Sequence, residues 1–465
     1  MSSVTERLAE YVIGFTFSEV PEEVVKQAKK VVLDTIGCAI GAYESKARRI
    51  LEDYTLELGA KGESTLIGSG FRTSCELASL VNGAAVRYLD FNDTAYIVKD
   101  GIYRTGYHPS EIIPPILAVA ESTHRSGEEV LACIILGYNL SISFLEAVTG
   151  EGLEKSGWNG DLRGAYIVPL VVGKLLGLSK TELINAVGIS ASCQAVLGIL
   201  DSPGEEYTMT KNVRFPFMAC RGIKAARLAK KGFTGPVTIF EGKNGFLETI
   251  MRGQYDLERV VPEKGRFAIM ETCLKSIIAD YSSHGHLWAT LELVKEHDLK
   301  PEEIKEVKIV TSKRCAEHTG DPVKKYPRNK ETADHSSYFL TAVAIADREI
   351  GPDQFKEEKF TDPKILALID KVTIVGDSSL DRVRPAGVSE IITHDGRRFA
   401  KRVDYPRGHA KNPMSDEEVI AKFKSMARRW MKEEEMEKLI GTIYELENLK
   451  DIRELMELTV FSEGR

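Results

Sequence analysis

The sequence predicts a mainly α protein with an inserted α+β domain: a large all-helical domain built from both chain ends, plus a smaller α+β domain between them. Three observations predict it. Residues 1–265 of the 465 carry apolar positions three and four apart, the period of helices packed on one face. Over 266–405, β-branched runs and a hairpin signal replace that period. From 406 to 465 the helical period returns in amphipathic segments that need an apolar partner, most simply supplied by the first domain.

Pro21-Glu22-Glu23 opens a helix on which Val24, Val25, Ala28, Val32, Leu33 and Ile36 form one stripe. Further helices are read over Cys75–Tyr88, Ile112–Arg125, Glu128–Ala147, Gly164–Leu176 and Phe217–Lys231. Ser179-Lys180-Thr181-Glu182 is a capping box that starts another, and the run Ile184–Leu200 is apolar nearly all round, as in a bundle interior. In the insertion, Val307–Val310, Lys371–Val375, Glu390–Thr393 and Phe399–Val403 read as strands, the last two joined across Asp395-Gly396. Helices are expected at Leu287–His297 and Ser336–Ala346, and a second capping box, Ser415 to Glu418, opens the terminal helices.

Hydrophobic residues at 43% and charged ones at 28% describe an ordinary globular chain, which excludes disorder and collagen-like or disulfide-stapled folds. A net charge of −7 without a basic block argues against nucleic acid. The seven cysteines never form CxxC and read as free thiols. The longest apolar stretch, Ala165–Leu178, is interrupted by Lys174 and too short for a bilayer, and the first residues lack a targeting pattern. A cytoplasmic protein without membrane partner is expected.

Four polar clusters stand out. Asp90, Asp93, Thr94 and His108 bracket a loop containing Lys99, Asp100, Gly101 and Arg104, between two apolar helices. They read either as capping residues or as a site at a helix end, where the dipole favours carboxylate ligands. Lys211 and Arg214 precede a small-residue helix and could clamp an anion, or simply be solvated. Lys275 with His284 and His286 lacks the spacing of a metal motif, and Glu331–Ser337 reads as a helix start. No dinucleotide, P-loop, nucleophile-elbow or iron–sulfur pattern occurs.

Seven strings in order resemble the MmgE/PrpD family over nearly the whole chain. They are VVLDTIGCAIGA (31–42), LVNGAAVRYLDFNDT (80–94), GYHPSEIIPPILAVAE (106–121), GKLLGLS (173–179), KNVRFPFMACRGIKAARLAKKGFTGP (211–236), ETADHS (331–336) and YPRGHAKNPMSDEE (405–418). The resemblance implies a helical domain with an inserted α+β lid, a homodimer, and chemistry without metal or other cofactor. It places the family's DFxDT residues on Asp90 and Thr94, its HPS on His108, and its lysines on Lys211 and Lys275, with a histidine at His284. The implied reaction is removal of water from a small di- or tricarboxylic acid, most simply 2-methylcitrate; decarboxylation of cis-aconitate and epimerisation use similar proton transfers. His108 and His284 are expected as the acid/base pair, in either order. Lys211 and Lys275 would bind carboxylates, and Asp90 would orient a histidine or share the proton. Thr94 would bind a carboxylate or hydroxyl, with Asp93 and Arg214 in supporting places. Two departures bear on the substrate: thirteen residues separate Thr94 from His108, and SIIADYSS stands at 276–283.

Overall fold

A computed structural model describes residues 2–99, 102–104, 107–149, 153, 156–193, 195–383 and 385–461, with only the backbone at 98–99 and 102–104. Of the loop named above, Asp100 and Gly101 lie outside the described residues, as does Gly106.

The structure is mainly α, with its strands concentrated between two helical stretches. The helices that position the site are α1 (Glu22–Gly41), α2 (Cys75–Tyr88), α3 (Ile113–Ser122), α4 (Gly127–Glu146), α5 (Gly164–Leu175), α6 (Lys180–Ser192) and α7 (Arg214–Ala229). Small residues let them pack closely. A Cβ on Gly222 of α7 would come within 2.8 Å of Val168 on α5, and one on Gly83 of α2 within 3.0 Å of Pro216 on α7. Helix α4 is long and apolar enough to cross a membrane, but 89% of its apolar window is buried inside the protein, as befits a core helix. Both capping boxes form: Glu182 N–H reaches Ser179 Oγ at 3.4 Å, and Glu418 N–H reaches Ser415 Oγ at 3.3 Å.

The helix expected from about Thr181 to Val196, within the apolar run that reaches Leu200, stops at Ser192. Beyond it the chain turns extended, with Trp158 bridged to Leu197 and Asn159 N–H bonded to the Val196 carbonyl. Pairing with the segment before α5 therefore wins over continued helix. Helix α7 begins at Arg214, three residues earlier than expected, and a 3₁₀ turn over Met209–Val213 presents Lys211 at its mouth. The expected start at Ile112 is likewise a 3₁₀ turn, Pro109–Ile112, leading into α3.

Besides short two-stranded ladders, the insertion forms a four-stranded sheet from β1 (Ile304–Ser312), β2 (Val372–Asp377), β3 (Gly387–Thr393) and β4 (Arg398–Val403), in the order β4-β3-β1-β2. β1 and β2 are parallel and the other pairings antiparallel, with Ile391 opposite both Val307 and Phe399. Helices α8 (His284–Glu296) and α9 (Ser337–Asp347) accompany the sheet. The N-terminus of α8 meets β3 so closely that a Cβ on Gly285 would stand 2.0 Å from the Pro385 carbonyl oxygen. After β4 the chain returns, and α10 (Asp416–Ala427) packs on α1, where Gly37 leaves room for Phe423 and Met426.

Candidate active site

A two-residue ladder draws the conspicuous polar strings together. Thr94 pairs with Cys273 and Ala95 with Thr272, which brings Lys275 to the end of α2. There Asp90 follows the helix in a left-handed backbone conformation, φ +53°. That position after a helix usually holds glycine, because a side chain is strained in it. Here the strained residue aims a carboxylate into the protein.

Asp90 is the hub. Its Oδ1 accepts from Arg87 Nη1 and from Lys275 Nζ, each at 2.6 Å, and its Oδ2 lies 3.4 Å from Lys211 Nζ. Lys275 also donates to the Asp90 and Ala279 carbonyls at 3.0 Å. Lys211 donates to both oxygens of Asp334 at 2.8 Å, and Lys330 donates to Asp334 Oδ2 at 2.6 Å. Burial alone would raise the Asp90 pKa, but Arg87, Lys211 and Lys275 together outweigh it and hold the carboxyl well below its ordinary value. Arg87, Lys211, Lys275 and Lys330 are thus set against the carboxylates of Asp90 and Asp334, an inner cluster with two positive charges in excess.

Three imidazoles surround this cluster. His108 Nδ1 lies 2.5 Å from the Asp93 carbonyl, which fixes the proton on Nδ1 and leaves Nε2 as an acceptor, 3.8 Å from Asp90 Oδ1. His335 Nδ1 lies 2.5 Å from Asp334 Oδ1, the carboxylate–histidine arrangement that orients a ring and fixes its tautomer. His284 is fully buried beside Tyr281, with neither ring nitrogen hydrogen-bonded to the protein. Burial, reinforced by neighbouring cations, lowers the pKa of all three, that of His284 to about 3. Without a ligand they are neutral proton acceptors.

The remaining expected residues divide. Thr94 is buried against the ladder, its hydroxyl 3.3 Å from the Tyr107 carbonyl. Asp93 accepts from Ser110 N–H at 3.1 Å and from Tyr138 Oη at 2.7 Å, and burial raises its pKa to about 6. It anchors the turn that carries His108. Arg214 is not brought to Asp90: it pairs with Asp201 at 2.6 Å and Asp161 at 3.1 Å. His286 is buried without a hydrogen bond.

Arg87, Lys330, Asp334 and His335 form part of the cluster; by sequence Arg87 reads as a helix residue and Asp334 and His335 as part of a helix start, while Lys330 falls outside every pattern. Only the ETADHS string marked Asp334 and His335, because the contact that reveals them spans more than 120 residues. Asp280 and His318 form the partly exposed side of the site. Asp280, His318 and His335 place one ligand atom each within 4.8 Å of one another, as do Asp90, Asp334 and His335, so within the site a cation could be held at either group; Glu63, Cys75 and Glu76 form a third such group elsewhere. The second group is already occupied by lysine ammonium groups. A separate cavity of about 670 Å³ lies behind the site, lined by Tyr88, Phe91, Ile277, Trp288, Lys330 and Trp430, so it meets the cluster only through Lys330.

A helical scaffold and an α+β unit thus hold buried cations around carboxylates and neutral imidazoles, a grouping chemically able to bind an anion and move protons. Two family models match the chain: the MmgE/PrpD N-terminal domain over residues 6–258 and the MmgE/PrpD C-terminal domain over 279–446. The chain belongs to the MmgE/PrpD family. It is 25% identical to a cis-aconitate decarboxylase of Aspergillus terreus, over 98% of this chain and 96% of that protein. A human cis-aconitate decarboxylase is also 25% identical, over 98% and 95%. A 2-methylcitrate dehydratase of Escherichia coli (strain K12) is 24% identical, over 91% and 90%. These relatives support an enzyme.

Proposed function

We propose that the protein is a lyase that removes water from a small tricarboxylic acid, most simply 2-methylcitrate to 2-methyl-cis-aconitate, by proton transfer through histidine. The observation that carries this reading is the gathering of Arg87, Lys211, Lys275 and Lys330 around Asp90 and Asp334 beside three imidazoles. Lys211, Lys275 and Arg87 bind substrate carboxylates and stabilise the charge that develops when the α-carbon loses its proton. A neutral imidazole, His108 or His284, accepts that proton. The departing hydroxide needs a donor. A bound polycarboxylate supplies it indirectly, because its negative charges raise the pKa of the nearby imidazoles and allow one to be protonated in the loaded site. Asp90 holds the cations in register, and Thr94 would offer its hydroxyl to a substrate carboxylate or hydroxyl.

Decarboxylation of cis-aconitate is the second reading, favoured by relatives of that name covering 98% of the chain against 91% for the dehydratase above. The test is an ultraviolet and NMR assay of chelator-treated protein with 2-methylcitrate, citrate and cis-aconitate in parallel. A conjugated alkene from 2-methylcitrate is the expected result. Carbon dioxide and itaconate from cis-aconitate would replace it with the second reading. Inertness toward all three would overturn both.

A further inference from the structure

We propose that Asp280 makes the site selective for polycarboxylic acids that carry a hydrogen-bond donor, a hydroxyl or an ammonium group, on the carbon facing it. This rests on the reading of the site as a polycarboxylate pocket and adds to it the chemistry of the substrate's non-carboxylate group.

Three carboxylates belong to the site, and they are not equivalent. Asp90 and Asp334 are buried, at 1% and 0% side-chain exposure, and each is bonded to lysine ammonium groups. Asp280 is 15% exposed, and among the described residues no lysine or arginine stands within salt-bridge distance of it. One oxygen, Oδ1, is used locally: Asp280 caps the 3₁₀ turn Tyr281–Ser283 and accepts from Ser282 N–H at 3.0 Å and from the Ser282 hydroxyl. The other, Oδ2, accepts no hydrogen bond among the described residues and lies 3.9 Å from His335 Nε2. Capping therefore explains half of this carboxylate and leaves the other half facing the partly open side of the site.

A carboxylate at that place with no lysine or arginine among the described residues in direct contact repels a substrate carboxylate and costs binding free energy unless the ligand offers it a donor. The gap between Oδ2 and His335 Nε2 is too long for a direct hydrogen bond but suits an inserted group at ordinary hydrogen-bond lengths. An ammonium donates to both atoms. A hydroxyl donates to Asp280 and accepts from His335 once that ring is protonated, the arrangement in which a hydroxyl is set up to depart as water. A ligand lacking the donor leaves Asp280 unsatisfied, and sites built around such a bond reject the analogue without it.

Citrate and tricarballylate differ only by the central hydroxyl and make the test. Calorimetric titration of the full chain should show citrate binding at least about tenfold more tightly, the size expected of one hydrogen bond to a charged group. In Asp280→Asn, which keeps the side-chain shape and removes the charge, the ratio should fall to about two- or threefold. Equal affinity of the two acids for the wild-type protein overturns the proposal whatever the variant does. So does an unchanged ratio in a variant that melts like wild type. Binding of citrate by a protein inert toward 2-methylcitrate, citrate and cis-aconitate overturns the lyase reading alone, whereas no binding of either acid overturns the polycarboxylate pocket and this inference with it.

Discussion

Asp90→Asn tests whether the charge network, rather than shape, holds the site together. Asparagine is nearly isosteric and tolerates the left-handed backbone of residue 90, so the substitution removes a charge and little else. The three cations are affected unequally. Lys211 keeps Asp334 at 2.8 Å, and Arg87 is left 3.9 Å from Glu111. Lys275 loses its 2.6 Å ion pair and retains only carbonyl partners at 3.0 Å. Burial already lowers the Lys275 pKa, and Asp90 is the chief influence opposing that; without it the amine moves further toward neutrality. Leaving a buried charge without its partner costs about 3–5 kcal/mol. At roughly 2 °C per kcal/mol for a large domain, the thermal midpoint should fall by about 6–10 °C. Turnover should fall by at least about 100-fold, as for loss of an electrostatic contact to the reacting centre. Thermal melts followed by circular dichroism and the parallel acid assay would read both. A midpoint within about 1 °C of wild type with unchanged turnover would refute the network.

Three further outcomes are expected. Asp93 has its pKa raised from 3.8 to about 6, so the fold favours the protonated carboxyl; its contribution is full below the unfolded value and is lost as pH rises toward 6, about 3 kcal/mol in all. Asp93→Asn should therefore gain stability relative to wild type across that window, and parallel denaturation curves at pH 4 and pH 7 would expose a flat difference as a failure. His108→Gln and His284→Ala should each reduce turnover by about 100-fold or more and alter the pH profile of kcat; wild-type kcat in both would remove these rings from the chemistry. Because the site's histidines are neutral when empty, binding of citrate at pH 7 should take up protons, seen as a binding enthalpy that depends on the buffer's ionisation enthalpy. A buffer-independent enthalpy would contradict the loaded-site protonation.

Local chemistry made much of this protein legible. The capping serines Ser179 and Ser415 and the Asp395-Gly396 turn act within a few residues, so the helix starts and the β3–β4 hairpin follow from the sequence directly. The gathering of Asp90, Lys211 and Lys275 was legible only through motifs, since the three are brought together by pairings across 121 and 185 residues. Lys330 carried no such mark, and Arg87 lay inside a motif string without standing out from it: each looks like an ordinary surface cation of a helix, and only tertiary burial makes it part of the site. Arg214 shows the converse. Its place near Lys211 made it a candidate, but three residues further on, as the first residue of α7, it pairs with Asp161 and Asp201 instead.

The backbone of residue 90 has a consequence beyond catalysis. A chain freed from the need for a carboxylate there would relax toward glycine or asparagine, which occupy left-handed geometry at lower cost. Aspartate at the end of this helix is therefore retained against a standing thermodynamic pressure. Among related sequences it should serve as a signature of working enzymes, and its replacement by glycine should mark copies that have kept the architecture after the chemistry was abandoned.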